Sequence, residues 1–307
     1  MKKLIKFVVI LICLLIVTFF ILQKKSIPLE TLKERYTTTA SQFLELDGMQ
    51  VHYRIEGKGK PIVLIHGTGS ALQTWDEWTK QLVLDSFKVI RLDMPAFGLT
   101  GPRADKDYSI KMYVDFLDRF LQKIGVDTFA LGGNSLGGEI AWKYAVAHPE
   151  KVSKLILVDP AGFYAPEKQN GAIIFKLVKN KWLADLFSKL DTKIIVDATL
   201  KDVYEDDSKI TDKMKNLYYD MSMREGNRES FSARVQQIEK EPKVDVAKVE
   251  APTLIQWGKE DKLIDISMLE NFKKIPNHLI KIYEHCGHVP QEEIPIVSVN
   301  DVIHFLK

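Results

Sequence analysis

Hydrophobic and polar positions change their period several times along the chain, and each change marks an element. Residues 4–22, "LIKFVVILICLLIVTFFIL", are interrupted only by Lys6 and the mild Thr18. As a helix this run would extend about 28 Å, close to the thickness of a bilayer core. A cleaved leader has a shorter apolar stretch and then a small-x-small site. Here Ile21, Leu22, Gln23 and Lys24 follow instead, so the pattern predicts an uncleaved anchor over residues 1–25. Lys2, Lys3, Lys6 and the terminal amine outweigh Lys24 and Lys25, which by the positive-inside rule puts the rest of the chain on the extracytoplasmic side. Residues 26–40 are polar and read as a juxtamembrane spacer or short helix.

From Ser41 the pattern is that of a folded domain running to residue 307. "FLELDGMQVHYRIEG" alternates apolar and polar residues about Asp47-Gly48, the signature of a hairpin with a tight turn. Six short β-rich runs at 61–67, 87–95, 129–135, 154–160, 252–258 and 279–285 mostly lack alternation, as strands buried on both faces of a sheet do. Helical spacing fills the gaps: in 108–124, Tyr113, Phe116, Leu117, Phe120 and Leu121 share one face, and 136–148 is a second helix. Strand–helix alternation behind an antiparallel hairpin predicts an α/β fold with a mostly parallel, doubly wound sheet. Residues 163–245 break the alternation with charged and large apolar residues at helical spacing, a gap far longer than a usual βα connection, and predict a helical insertion. Within it Phe175, Leu177, Trp182, Leu183 and Phe187 are expected in its core or lining a pocket. As a surface they would rest on a membrane.

Composition adds exclusions. With 43 basic and 41 acidic residues the net charge is +2, so bulk charge gives no reason to expect a nucleic acid partner. The two cysteines, Cys13 and Cys286, give neither a disulfide framework nor a metal-binding pair. At 307 residues and 46% hydrophobic the chain can bury a large core. Oligomeric state is not legible.

The candidate chemistry centres on "GGNSLGG", residues 132–138, where a strand should give way to a helix. A serine on so sharp a turn needs an unusual backbone conformation, and side chains two positions either side of it would collide, so Gly133 and Gly137 are sterically useful and Ser135 is pushed clear of the sheet. A serine hydroxyl needs a base to attack, best an imidazole whose second nitrogen is held by a carboxylate. Of seven histidines, His288 follows the last strand on a short glycine-containing loop, whereas His285 lies at the strand end and suits a structural role. Asp261, just beyond the strand "PTLIQWG", is the first candidate for the carboxylate; Asp159, which ends another strand, is the second. Glu260 is one residue off and faces solvent in this reading. The backbone N–H of Leu136, at a helix start, and that of Thr68, in the loop "HGTGS", would bind an oxyanion. His66 suits a scaffold role beside that loop, Trp75 and Trp78 suit packing, and Asn134 would orient the turn or line the pocket.

"HGTG", "DMPAFGLT", "GNSLGG", "WGKEDKLI" and "GHVPQEE" come in the order and spacing of the α/β-hydrolase superfamily, which the chain resembles over residues 41–307. The resemblance implies the α/β-hydrolase fold, a triad in the order Ser135, Asp261, His288, and a helical cap in the insertion. The "GNSLGG" turn is similar to that of meta-cleavage-product hydrolases, although Val289 stands where those enzymes commonly carry Trp after the histidine. Ser135 is unlike the Asp nucleophile of family dehalogenases and epoxide hydrolases, and Asp93 and Gly98 match the family's site-shaping loop. The expectation is therefore a membrane-anchored serine hydrolase acting on a small-molecule acyl substrate, a carboxylic ester, without metal or organic cofactor. Cleavage of a carbon–carbon bond in a diketone-like substrate is the alternative, and a non-catalytic binding protein on the same scaffold the rival of another class.

Overall fold

The structure is a computed structural model that describes residues 6–7, 22–163, 173–238 and 243–307. Eight strands form one sheet: β1 (Ser41–Leu46), β2 (Met49–Glu56), β3 (Lys60–Ile65), β4 (Phe87–Leu92), β5 (Phe129–Asn134), β6 (Val152–Val158), β7 (Thr253–Gly258) and β8 (His278–Tyr283), in the spatial order β1-β2-β4-β3-β5-β6-β7-β8. β2 runs antiparallel to β1 and β4, and the remaining pairs are parallel. The hairpin pairs Leu46 with Met49, and its two turn residues, Asp47 and Gly48, have φ of 53° and 74°. Two positive φ values in a two-residue loop match the right-handed twist of the strands, and Asp-Gly supplies them at low cost.

Helices cover both sheet faces, as an unbroken apolar strand requires. In β3, Val63 and Ile65 belong to the larger core while Ile62 and Leu64 belong to the smaller, so alternate side chains feed opposite layers. In chain order the first helices are α1 (Leu29–Tyr36), α2 (Asp76–Leu84), α3 (Ile110–Lys123) and α4 (Leu136–Ala147). α3 starts where the Ser109 side chain accepts the Met112 amide at 3.2 Å, a cap worth about 1 kcal/mol. It buries the predicted stripe of Tyr113, Phe116, Leu117, Phe120 and Leu121 in the larger core, which α4 completes with Ile140, Ala141 and Tyr144. Trp75 and Trp78 are fully buried in the smaller core, where the Trp78 indole donates to Ser298 Oγ at 2.9 Å.

Between β6 and β7 lie α5 (Ile173–Leu177), α6 (Lys181–Phe187), α7 (Lys193–Val203), α8 (Asp212–Met223) and α9 (Asn227–Gln237); α10 (Leu269–Phe272), α11 (Pro290–Glu293) and α12 (Pro295–Leu306) follow β7 and β8. Ile174, Val178, Ala184, Phe187 and Val235 form a core of this helical layer. Two insertion residues expected in a core are on the surface: Leu177 is 42% and Trp182 70% exposed. The reason is helix length. Two short helices each have one inward face, and Ala184, Phe187 and Ile174 take it.

The apolar run predicted as an anchor lies almost wholly outside the described residues. No described helix is long and apolar enough to cross a membrane. The chain emerging at Leu22 runs against the insertion: Lys24 N donates to Lys189 O, Asp191 N to Leu22 O, and Ile27 N to Met223 O. Leu32 of α1 is fully buried beside Ala71, Leu99 and Met221.

Candidate active site

The C-terminal ends of the parallel strands carry the candidate residues to one edge of the sheet, where open α/β sheets form their ligand crevice. Ser135 links β5 to α4 with φ 55° and ψ −118°. That conformation is costly for a residue with a β-carbon, of order 1–3 kcal/mol, and its surroundings hold it. Ser135 N donates to Val158 O at 3.1 Å, and its carbonyl accepts Glu139 N and Ala161 N, each at 3.0 Å. The neighbouring glycines are steric necessities: a β-carbon on Gly133 would fall 2.1 Å from Gly137 O, and one on Gly137 would fall 2.1 Å from Ile65 O.

Asp261 and His288 meet directly. His288 Nδ1 donates to Asp261 Oδ2 at 2.7 Å, and Asp261 Oδ1 accepts the amides of Leu263 and Ile264 at 2.8 and 3.0 Å. With Nδ1–H committed, the lone pair of Nε2 is left to accept a proton. Asp261 and His288 are 7% and 4% exposed. Among the described residues Asp159, Asp261 and His288 also bring three metal-ligand-type atoms within 4.8 Å, but the imidazole and Asp261 are already bonded to each other.

The loop after β3 closes the site. Gly67 sits so close to the turn that a β-carbon there would be 3.1 Å from Ser135 Cβ. Thr68 follows it and lines the same cavity as Ser135 and His288, while Leu136 opens α4, whose N-terminal dipole favours negative charge. His66 is buried scaffold: Nδ1 donates to Gly67 O at 2.8 Å and Nε2 accepts Met94 N at 3.0 Å, while burial pulls its basicity down. Asp93, fully buried, accepts the amides of Leu72 and Leu99 and bonds His52, and Gly98 packs on its carboxyl.

One contributor had two readings in the sequence, orienting the turn or lining the pocket, and two had none. Asn134 Nδ2 donates to Val158 O at 3.1 Å and His288 O at 2.9 Å, so it fastens the histidine loop to the serine turn. Glu293 accepts the amides of Gly287, Glu205 and Asp206, holding the same loop from the other side. Glu292 takes hydrogen bonds from Tyr204 and, at 2.7 Å, from Tyr218. The only sequence signal for the two acids is their place soon after His288, and it does not separate their roles.

The cavity encloses about 140 Å³ over Ser135. Its floor holds Thr68, Ser70, Asn134, Ser135 and His288; its roof, from the insertion, is mostly apolar and includes Phe175, Phe187, Ile195, Val196, Leu200 and Phe231. Arg228 also borders it, but the guanidinium is turned to the N-terminal segment, donating to Leu190 O, Lys24 O and Ser26 Oγ.

Comparison with known proteins places this geometry. A family model described as the alpha/beta hydrolase fold matches residues 60–295. The chain is 27% identical over 275 residues to the 2-hydroxy-6-oxo-6-(2'-aminophenyl)hexa-2,4-dienoic acid hydrolase of Metapseudomonas resinovorans, covering 86% of this chain and 90% of that protein. It is 28% identical over 256 residues to the 2-hydroxymuconate semialdehyde hydrolase of Pseudomonas sp. strain CF600, covering 80% and 86%. Among solved structures, a membrane phospholipase A described as a bacterial virulence factor is 25% identical with a TM-score of 0.76, covering 100% of this chain and 98% of that one. A meta-cleavage product hydrolase from Pseudomonas fluorescens IP01 has a TM-score of 0.75 at 24% identity, covering 86% and 97%.

Proposed function

This chain belongs to the alpha/beta hydrolase family, and from that premise we propose that it is a membrane-anchored serine hydrolase cleaving the carboxylic ester of an acyl lipid. Ser135 attacks the ester carbonyl while His288 Nε2 takes its proton, and Asp261 holds the imidazole through Nδ1–H. The backbone amides of Thr68 and Leu136 stabilise the oxyanion. His288 returns the proton to the leaving alcohol, and water then cleaves the acyl-enzyme by the same path. The insertion acts as a cap that shapes the acyl site.

The observation that carries the ester reading is the cavity: hydroxyl and imidazole at its floor, aromatic and aliphatic side chains above them, and, among its described lining residues, one arginine, Arg228, turned to the N-terminal segment. Such a site suits an acyl chain and offers a substrate carboxylate no free cation among those residues. Val289, packed with Leu200, Tyr204 and Ile210, adds no aromatic platform beside the imidazole. The full-length likeness to the membrane phospholipase A supports both a lipid ester and the anchor. Exposed Leu177, Trp182 and Ile194, set among the exposed Lys176, Lys181, Lys189 and Lys193, support a membrane-facing cap.

The names of the curated relatives favour a second reading, hydrolysis of a carbon–carbon bond in a dienoate. Purified full-length protein assayed on long-chain esters beside vinylogous diketones separates the two, and turnover of the diketone alone would overturn the ester reading. Ser135→Ala should abolish turnover with the circular dichroism spectrum unchanged; retained activity would sink the nucleophile. A C-terminal reporter fusion is expected on the extracytoplasmic side.

A further inference from the structure

Asp159 is a buried acid beside the site that the mechanism does not use. It follows β6 directly with φ 43°, in the left-handed region, and its side chain is fully enclosed. Its backbone N donates to Gln256 O at 2.9 Å and its Oδ1 accepts Gly258 N at 2.9 Å, so it spans the ends of β6 and β7. A side-chain oxygen of Asp159, one of Asp261 and a ring nitrogen of His288 all lie within 4.8 Å of one another.

Two carboxylates so close in a buried site cannot both stay charged unless a cation lies between them. The other titratable groups facing Asp159 are Tyr283 of β8, Cys286 on the following loop and Glu293 of α11. Lys209, the nearby cation, pairs with Glu293 at 3.9 Å. The hydrogen bonds decide which acid keeps the proton. Asp261 accepts three N–H groups, from His288, Leu263 and Ile264, as an ionised carboxylate does. Asp159 accepts one, and as an anion its buried Oδ2 would have no donor among the described residues.

We propose that Asp159 is a neutral carboxylic acid whose O–H donates to Asp261, making it a positioning residue for the carboxylate that holds His288. Burial first, and then the charge of Asp261, push the Asp159 carboxyl well above the ordinary carboxylate value, which agrees. No proton is transferred in this role. The shared hydrogen bond fixes the Asp261 oxygen that receives Nδ1–H and draws off part of its charge, so the imidazole is oriented without being made too basic to release its proton. The inference rests on the Ser135–His288–Asp261 reading above.

The test uses full-length protein and two variants. Asp159→Asn keeps an N–H donor toward Asp261 and an acceptor for Gly258 N. It should hold kcat/KM within about threefold of the parent and leave the acid limb of the pH profile unmoved. Asp159→Val removes the donor; kcat should fall about tenfold or more with KM nearly constant, and the acid limb should move to higher pH, because Asp261 then faces the imidazole with its whole charge. If Asn is as damaging as Val, or shifts the acid limb to lower pH, Asp159 is a second ionised carboxylate and the proposal is overturned. Indifference to both substitutions overturns it too. An infrared band of a protonated carboxyl, expected in Ser135→Ala protein and lost in Ser135→Ala/Asp159→Asn, reads the proton without turnover. It therefore decides the point even if Ser135 is not the nucleophile or the Val variant fails to fold, and its absence before the Asp159 substitution overturns the proposal.

Discussion

Besides Ser135, His288 and Asp261 at the cavity, this molecule holds another serine, histidine and aspartate, and these stand in hydrogen-bonding order. Ser41 Oγ lies 3.0 Å from His52 Nε2, and His52 Nδ1 lies 2.7 Å from Asp93 Oδ2. Yet the Ser41 hydroxyl also accepts Thr38 N and Arg54 Nε, and the His52 and Asp93 side chains are sealed inside the fold. Ser135 differs in standing on a strained turn, at a cavity, with the start of a helix behind it. Reaction needs a space for the acyl group and donors aimed at its oxygen, which three residue types alone do not supply. A fluorophosphonate should therefore label the parent and Ser41→Ala at the same rate, and label found on Ser41 would refute this distinction. Asn134 makes a separate prediction. Removing its amide takes from the buried His288 carbonyl its side-chain donor, leaves Val158 O with Ser135 N alone, and loosens the histidine loop, which Glu293 still holds from the other side. Asn134→Ala should lower kcat about tenfold or more while KM changes little. Steady-state kinetics on a soluble ester check this, and an unchanged kcat would mean that the loop does not depend on the amide.

At the scale of elements, the insertion is latched to the histidine loop by Glu292. Tyr204, at the end of α7, and Tyr218 of α8 both donate to it from across the cavity roof. Enclosure raises the Glu292 carboxyl above the ordinary glutamate value, against the opposing pull of its hydroxyl donors. The folded state thus holds this proton more tightly than the unfolded chain. The contribution is complete below about pH 4, the unfolded value, and is lost as pH rises through the folded one. Glu292→Gln should remove that slope, so its urea midpoint relative to the parent's rises with pH above about 4; parallel curves would refute the linkage. What the sequence revealed at this scale followed periodicity. The unbroken apolar runs of β3 to β7 and the stripe of α3 were legible because sheet and helix impose fixed spacings. Trp182 was misplaced because a short helix can bury any one of its faces, and α12 went unread behind the chemistry of the loop before it. Asp159 and Asp261 both follow apolar strands. Only the turn after β7, through the Leu263 and Ile264 amides, aims one of them at the imidazole. That aim is set by folded geometry, and no local spacing encodes it.

For the molecule as a whole, the N-terminal segment, the helical insertion and the cavity share structural members. Lys24 pairs with Asp191 at 3.0 Å, Arg35 and Tyr36 both reach Asp220, and Arg228, on the cavity border, donates to Lys24 O and Ser26 Oγ. The anchor proposed over residues 1–25 would thereby hold the insertion beside a bilayer. The polarity of the insertion's outer surface fits this placement. Trp182 and Ile194 are 70% and 74% exposed, an unfavourable display in water, and five exposed lysines, Lys176, Lys179, Lys181, Lys189 and Lys193, flank them in sequence as cations flank an interfacial helix. Neither residue borders the cavity, so their substitution should separate access to a membrane from chemistry. In full-length protein, Trp182→Glu combined with Ile194→Glu should lower kcat/KM on a long-chain ester embedded in anionic vesicles about tenfold, since two apolar contacts with lipid become repulsive. Hydrolysis of a soluble short-chain ester should not change. Equal loss on both substrates would mean that the substitutions disturb the fold. No loss on either would mean that lipid reaches Ser135 by a route that does not involve this surface.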